Sequence, residues 1–135
     1  MDKVRKEPCD TCPYRTDVPS GIWAHQTYEM LRPYDEPTGE QPFAVFGCHC
    51  NPEQYCHGWA VVHNSRGHQF ELLAMRIHGL GPGDVPQSDV IFFGSGNEAA
   101  DHGQADLAHP SDEARAAVDK LMKRKRLREG NPDLV

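Results

Sequence analysis

The chain has 135 residues and a formal net charge of −6, which fits one domain and disfavours a protein that wraps a nucleic-acid duplex. Only 38% of the residues are hydrophobic, while glycine and proline number 12 and 11, a loop-rich composition that usually needs a disulfide or a metal ion for stability. No segment approaches the roughly 20 apolar residues of a membrane-spanning helix, and no apolar secretory segment opens the chain, so we expect a cytoplasmic protein without membrane contact.

In the N-terminal half, the predicted elements are short and follow a cysteine-bearing turn. Residues 9–13 read Cys-Asp-Thr-Cys-Pro, a tight turn that suits metal binding. Ser20 is the candidate N-cap of a helix that ends before Pro33. Residues 43–46 predict a short strand, and the apolar residues 59–63 favour a helix over a strand.

The C-terminal half contains the clearest prediction. Residues 68–78 place apolar side chains at helical spacing and predict an amphipathic helix, whereas residues 90–93 predict a short buried strand. Residues 94–110 carry weak local signals and are expected to form a loop. From Ser111 onward, an acidic first turn, an apolar stripe and a basic last turn predict a long amphipathic helix.

These elements together predict an α+β fold, in the form of a small, irregular, metal-stapled domain with short strands and a C-terminal amphipathic helix. We assign residues 1–110 to a cysteine-rich metal-binding domain. Residues 111–135 form the helix with the basic end, which either belongs to the same domain or is an appendage to it.

Five cysteines provide the material for a metal site. Thiols stay reduced in the cytoplasm, and an odd number of cysteines argues against a fully paired disulfide framework. Cys9 and Cys12 have the spacing that places two thiolates on one ion, so the remaining ligands must come from residues 48–57. The favoured ligands are Cys9, Cys12, Cys48 and Cys56, and the alternates are His49, Cys50 and His57.

The identity of the metal stays open at this point. Four thiolates suit tetrahedral zinc, which we favour, and also suit a [4Fe–4S] cluster in a redox or sensor protein. Four protein ligands leave no open coordination position, which argues for a structural or redox site. A metal-dependent enzyme that uses histidines beside the site, such as His57 and His63, is a further alternative.

Residues 120–128 contain six bases and no acid. Clustered bases neutralise phosphates or an acidic protein surface, although bases at the end of a helix also interact favourably with its dipole. We therefore expect a host protein or nucleic acid to bind here, and a homo-oligomer stays open because residues 79–119 are acidic. The candidate partner-binding residues are Lys123, Arg124, Lys125, Arg126 and Arg128.

Several motifs between residues 8 and 78 resemble those of an uncharacterised domain family of actinobacteria and their phages. They are Cys-x-x-Cys-Pro at residues 9–13, Pro-Ser-Gly-x-Trp at 19–23, Tyr-Asp at 34–35, Cys-His at 48–49 and Cys-x-Gly-Trp at 56–59. The resemblance implies that the four favoured cysteines act as a set and that Cys50 is an extra one. It also implies a small phage-type regulatory or host-interaction protein, without indicating an activity.

Overall fold

The computed structural model describes residues 3–128, and the regular structure in this part of the chain is helical. The five α-helices are α1 (His25–Glu29), α2 (His57–Asn64), α3 (Leu73–Ile77), α4 (Gly96–Gln104) and α5 (Asp112–Arg128). Short 3₁₀ turns lie at Arg32–Asp35, Thr38–Glu40, His68–Phe70 and Pro82–Asp84.

The predicted α+β class is wrong, because residues 3–128 form isolated β-bridges and no strand. Residues 43–46 are irregular, and residues 90–93 meet the N-terminal segment at a single bridge between Arg15 and Phe92. Both apolar runs are only a few residues long and end at a glycine. Short apolar runs do not specify the type of backbone, and these two are not uniformly buried either, since Phe43 is 74% and Ile91 73% exposed.

Two predicted helices are shorter than expected. Near each of them, side chains form hydrogen bonds with backbone groups in place of a longer helix. Ser20 does not cap α1; its hydroxyl donates to the carbonyl of Gly103 at 2.9 Å and accepts from the N–H of Asp106 at 2.8 Å. The helix expected over residues 68–78 is interrupted because the N–H of Leu72 bonds to Asn64 Oδ1 at 3.0 Å. Only Leu73–Ile77 then forms α-helix.

Helix α4 lies where the sequence predicted a loop. Its N-cap is Ser95, whose hydroxyl accepts from the N–H of Glu98 at 3.1 Å. The Glu98 carboxylate accepts in turn from the N–H of Gly94 at 2.9 Å. A serine followed three residues later by a glutamate is a capping-box signal, so the start of this helix was readable from the sequence.

The core surrounds the cysteines and α2. Helix α4 packs against α1, α2 and the turn Arg32–Asp35, and its Gly103 faces the ring of Tyr28 so closely that a Cβ atom there would overlap it. The cysteines belong to the same cluster as the large buried side chains. The largest side chains without solvent contact include Trp59, Tyr14, Tyr28, Leu31, Leu72 and Met75.

Helix α5 begins where the sequence predicts it. The Ser111 hydroxyl accepts from the N–H of Ala114 at 3.1 Å, and Ala114 is the residue of this helix that is completely buried. Within residues 3–128, no helix has the length and apolarity that crossing a bilayer requires.

Candidate metal centre

The first pair of cysteines lies on a tight N-terminal turn. The N–H of Cys12 bonds to the carbonyl of Cys9 at 3.2 Å, and the N–H of Arg15 bonds to the carbonyl of Cys12 at 3.1 Å. These two successive turns direct both thiols inwards, where Cys9 is 6% and Cys12 is 1% exposed.

The second group of cysteines lies on a loop that doubles back just before α2. The N–H of Cys48 bonds to the carbonyl of Gln54 at 2.8 Å, and the N–H of Cys56 bonds to the carbonyl of Phe46 at 2.9 Å. This pairing brings the two ends of the loop together, and Cys48 and Cys56 are 2% and 3% exposed. Cys50 occupies the loop between them and is only half-buried.

The fold brings thiols from the two segments together. The Sγ atoms of Cys9, Cys48 and Cys50 all lie within 4.8 Å of one another, a group that could hold a metal ion. The Sγ atoms of Cys12 and Cys56 lie 3.7 Å apart, and neither belongs to that compact group. Two sulfurs bound to one tetrahedral zinc ion at about 2.3 Å are separated by about 3.8 Å, so the spacing of the second pair fits a shared ion.

Hydrogen bonds stabilise the thiolate form of Cys12. A hydrogen bond from the Cys56 thiol lowers the pKa of Cys12, and bonds from the backbone N–H groups of Tyr14 and Gly58 lower it further. Conversely, the bond to Cys12 raises the pKa of Cys56, because the two sulfurs share a proton in this arrangement. A bound cation would replace that proton, since metals bind thiolates.

Cys48 is the best stabilised anion of the second group. Hydrogen bonds from Cys50 and Cys9 lower the pKa of Cys48, and the N–H groups of Asn51 and Cys50 also contribute. The Arg5 guanidinium donates to Cys48 Sγ at 3.4 Å. Such donors to the ligand atoms of a metal site orient the ligands and favour their charged form.

Two further guanidinium groups compensate negative charge at the first turn. The ion pair with Asp17 raises the pKa of Arg15, and the charges of the nearby thiols add to the effect. The ion pair with Asp10 raises the pKa of Arg124, with smaller contributions from the same cluster. A divalent ion bound by four thiolates carries a net charge of about −2; because Arg15 and Arg124 are already paired with carboxylates, they would offset this charge only in part.

Gly58 allows α2 to approach the first turn. A Cβ atom at this position would lie 2.7 Å from Cys12 Sγ and 2.8 Å from the Cβ atom of Tyr14. Both contacts are shorter than van der Waals distance, so a larger residue would separate the two halves of the cluster. Sequence reasoning did not single out this glycine, although its place between Cys56 and Trp59 was a signal.

The predicted histidine alternates lie elsewhere in the described part of the chain. His49 packs against Trp23, with ring centroids 4.5 Å apart, and against Phe46. The Nδ1 atom of His57 bonds to the carbonyl of Arg5 at 2.8 Å, while its buried Nε2 atom has no hydrogen-bond partner. Neither ring nitrogen joins two thiols in a compact ligand group within residues 3–128.

A buried polar chain that the sequence did not predict runs beside the cysteines. The Tyr14 hydroxyl lies 2.8 Å from His63 Nε2, and His63 Nδ1 lies 3.5 Å from Asp35 Oδ1. The Asp35 carboxylate accepts from the N–H groups of Gly96 and Asn97 at the start of α4, both at 2.7 Å. Burial lowers the pKa of His63 to about 4, so this imidazole is neutral near pH 7.

The basic end of α5 is partly occupied by contacts within the chain. Arg124 pairs with Asp10 at 3.0 Å, and Lys120 lies 3.8 Å from the same carboxylate. Lys123 and Lys125 are exposed, and Arg126 is half-buried. The side chain of Arg128, the fifth predicted partner-binding residue, lies outside the described part of the structure.

Comparison with curated proteins and with solved structures gives no match. A family model that is described as a family of unknown function matches residues 4–126, which covers both cysteine-bearing segments and nearly all of α5. The chain therefore belongs to DUF6283, a family of unknown function.

Proposed function

We propose that this protein binds one thiophilic metal ion, preferably zinc, through Cys9, Cys12, Cys48 and Cys56, and that the ion holds the fold together. The observation that supports the proposal most directly is that thiols from two remote segments meet, Cys9 with Cys48 and Cys50, and Cys12 with Cys56. Apart from α5, the described residues form only isolated bridges and short helices. Such a fold gains much from a metal cross-link, because a structural zinc ion contributes roughly 10 kcal/mol or more to folding.

The choice of these four among five cysteines rests on burial. The four are between 1% and 6% exposed, whereas Cys50 is half-buried. Structural zinc sites are closed and use four protein ligands. A partly exposed Cys50 fits a position at the edge of such a site better than a place inside it.

The sulfur spacing favours a single ion over an iron–sulfur cluster. The 3.7 Å between Cys12 and Cys56 fits two ligands on one tetrahedral centre, for which about 3.8 Å is expected. In a [4Fe–4S] cluster each cysteine binds a different iron, so the sulfurs must stand further apart. Zinc also requires no redox partner, and the proposal assumes a reducing compartment such as the cytoplasm.

A series of single Cys→Ser variants tests the ligand set. Each of the four favoured ligands, when replaced, should lose most of the bound metal and lower the free energy of unfolding by several kcal/mol. Cys50→Ser is the matched control and should keep one ion per chain. Metal content by elemental analysis and unfolding by urea, both on anaerobically purified protein, provide the measurements.

The opposite pattern would contradict the proposed ligand set. If Cys50→Ser lost the ion while Cys12→Ser and Cys56→Ser kept it, the ion would be held by Cys9, Cys48 and Cys50. Such a three-thiolate site has room for a fourth, exchangeable ligand, and a catalytic or metal-transfer role would then replace the structural one.

The basic end of α5 supports a second, separate proposal, that a host protein or nucleic acid binds there. Lys123 and Lys125 are exposed on a helix whose neighbouring Arg124 is anchored to Asp10. A double Lys123→Glu, Lys125→Glu variant should weaken salt-sensitive association with a mixed-sequence RNA or DNA probe, or with an acidic protein. Unchanged binding by this variant would exclude this surface as the binding site. Association between copies of the chain would instead appear as an increase in molecular mass.

A further inference from the structure

Cys50 is the fifth thiol of a cluster that needs only four. The inference below rests on the proposed metal site and concerns what the additional sulfur does. Its Sγ lies within 4.8 Å of the Sγ atoms of Cys9 and Cys48 and 3.6 Å from the Thr11 hydroxyl. It is therefore close enough to react with a ligand of the ion after a shift of a few ångströms.

A cavity connects Cys50 with solvent. The cavity has a volume of about 260 Å³ and lies between α5 and the loops at residues 22–24 and 49–50. Its wall is mostly apolar, and Cys50 is the one cysteine that lines it. The space accommodates a molecule as small as hydrogen peroxide. The remaining wall residues include Ile22, Trp23, Val118, Leu121 and Met122.

The other four thiols are poorly placed for attack from outside. Each is at most 6% exposed, so an oxidant that enters from solvent meets Cys50 first.

We propose that Cys50 is a peroxide-reactive thiol whose oxidation releases the metal ion. In the first step the Cys50 sulfur attacks one oxygen atom of hydrogen peroxide and forms an S–O bond. The O–O bond breaks, sulfur is oxidised to sulfenic acid, peroxide is reduced, and one water molecule leaves. In the second step the Cys9 sulfur attacks the Cys50 sulfur, the S–O bond breaks, and the departing hydroxide takes up a proton to form water.

The disulfide between Cys9 and Cys50 removes one ligand from the ion, because a disulfide sulfur does not bind zinc as a thiolate does. Cys9 is the preferred partner since it comes from a separate segment, while Cys48 is only two residues from Cys50 and would close a very small ring. A dithiol reductant would reverse both changes and allow the ion to bind again. The cluster thereby couples oxidation to loss of the cross-link.

Zinc-loaded full-length protein treated with hydrogen peroxide tests this inference. Wild type should release one zinc ion per chain, measured with a chromogenic chelator, and peptide mapping should find a Cys9–Cys50 disulfide. Cys50→Ser should hold the same amount of zinc before treatment and release it about tenfold more slowly, since only buried, metal-bound sulfurs remain. Dithiol and zinc should restore the treated wild type.

Three results would overturn the inference about Cys50 alone, and a fourth would overturn the proposed metal site as well. Equal release rates in wild type and Cys50→Ser would show that Cys50 is not the entry point, as would a disulfide that does not join it to Cys9. If Cys50→Ser lacked zinc before treatment, Cys50 would itself be a ligand, and this inference would fail. Metal binding by the wild type would still stand. A wild type without zinc would contradict the proposed function itself.

Discussion

Gly58 is the residue at which a single methyl group should have the largest effect on the cysteine cluster. In Gly58→Ala the new Cβ atom would lie 2.7 Å from Cys12 Sγ and 2.8 Å from the Tyr14 Cβ atom. The expected cost is about 1–3 kcal/mol of unfolding free energy, because overpacking a dense core displaces its neighbours. We expect weaker metal binding as well, measured by competition with a chromogenic chelator.

Gly39→Ala provides the matched control for this prediction. No atom lies within 4 Å of the Cβ position at Gly39, which lies in the 3₁₀ turn Thr38–Glu40. Its unfolding free energy should change by less than about 0.5 kcal/mol. If both variants behaved alike, the close approach of α2 to the first cysteine turn would not matter for stability.

His63 should make the protein less stable in weak acid. Burial lowers the pKa of His63 from 6.5 to about 4; Asp35 opposes this shift, while the charge of Arg66 adds to it. At a pH between these two values, His63 is protonated in the unfolded chain and neutral in the folded chain. Stability is therefore complete above about pH 6.5 and falls as the pH decreases towards 4, by at most about 3 kcal/mol.

Comparison of wild type with His63→Gln isolates this contribution. Glutamine is neutral throughout this range, so the variant should lose less stability than wild type between pH 7.5 and 5. At pH 7.5 the variant should be less stable than wild type. Proton competition at the metal ligands affects both proteins and cancels in the difference. Parallel pH profiles from urea unfolding would contradict a neutral, buried His63.

At the scale of the helices, Asp35 links the cysteine region to α4. Its carboxylate accepts from the N–H groups of Gly96 and Asn97, which would otherwise lack partners at the helix N-terminus. Asp35→Ala should therefore lower the unfolding free energy by about 1–2 kcal/mol, as loss of an N-terminal cap does. Hydrogen exchange should become faster in α4 before it does in α2.

Asp89 is the corresponding control, since it is exposed. Asp89→Ala removes a carboxylate of the same charge and should change neither stability nor exchange in α4 by a measurable amount. A loss of stability in Asp89→Ala equal to that in Asp35→Ala would mean that net charge, and not the cap, is responsible.

Helix α5 is held to the first cysteine turn by ion pairs at the surface. Arg124 and Lys120 both lie near the Asp10 carboxylate, and such pairs contribute about 0.2–1 kcal/mol each. Asp10→Ala should leave the midpoint of unfolding nearly unchanged but should speed hydrogen exchange along α5. Asp17→Ala breaks a pair on the same turn and should leave α5 unaffected; equal exchange in the two variants would reject the tether.

The elements show which parts of the fold the sequence could predict. Helix α5 was predictable because acids, an apolar stripe and bases succeed one another over a long segment. The expected strands at residues 43–46 and 90–93 were wrong, since a short apolar run does not specify the type of backbone. Helix α4 was missed because its apolar face consists of small residues such as Ala99 and Ala100. The capping-box signal at Ser95 and Glu98 did indicate where this helix begins.

For the whole molecule, the sequence predicted that cysteines of the two segments meet, but not how they are arranged. The spacing of Cys9 and Cys12 indicated a metal-binding turn, and the structure brings this turn to the loop that carries Cys48 and Cys56. The position of Cys50 among the other thiols and the buried contact between Tyr14 and His63 depend on segments far apart in the chain. No local pattern encodes such contacts.

One ion bound by sulfur is proposed to hold together this small, loop-rich protein. The most direct test is elemental analysis together with an optical spectrum of anaerobically purified wild-type protein. We predict one zinc ion per chain and no absorption in the visible range. Iron and sulfide with a brown colour would replace the single ion by a cluster, and a folded, metal-free protein would contradict the account.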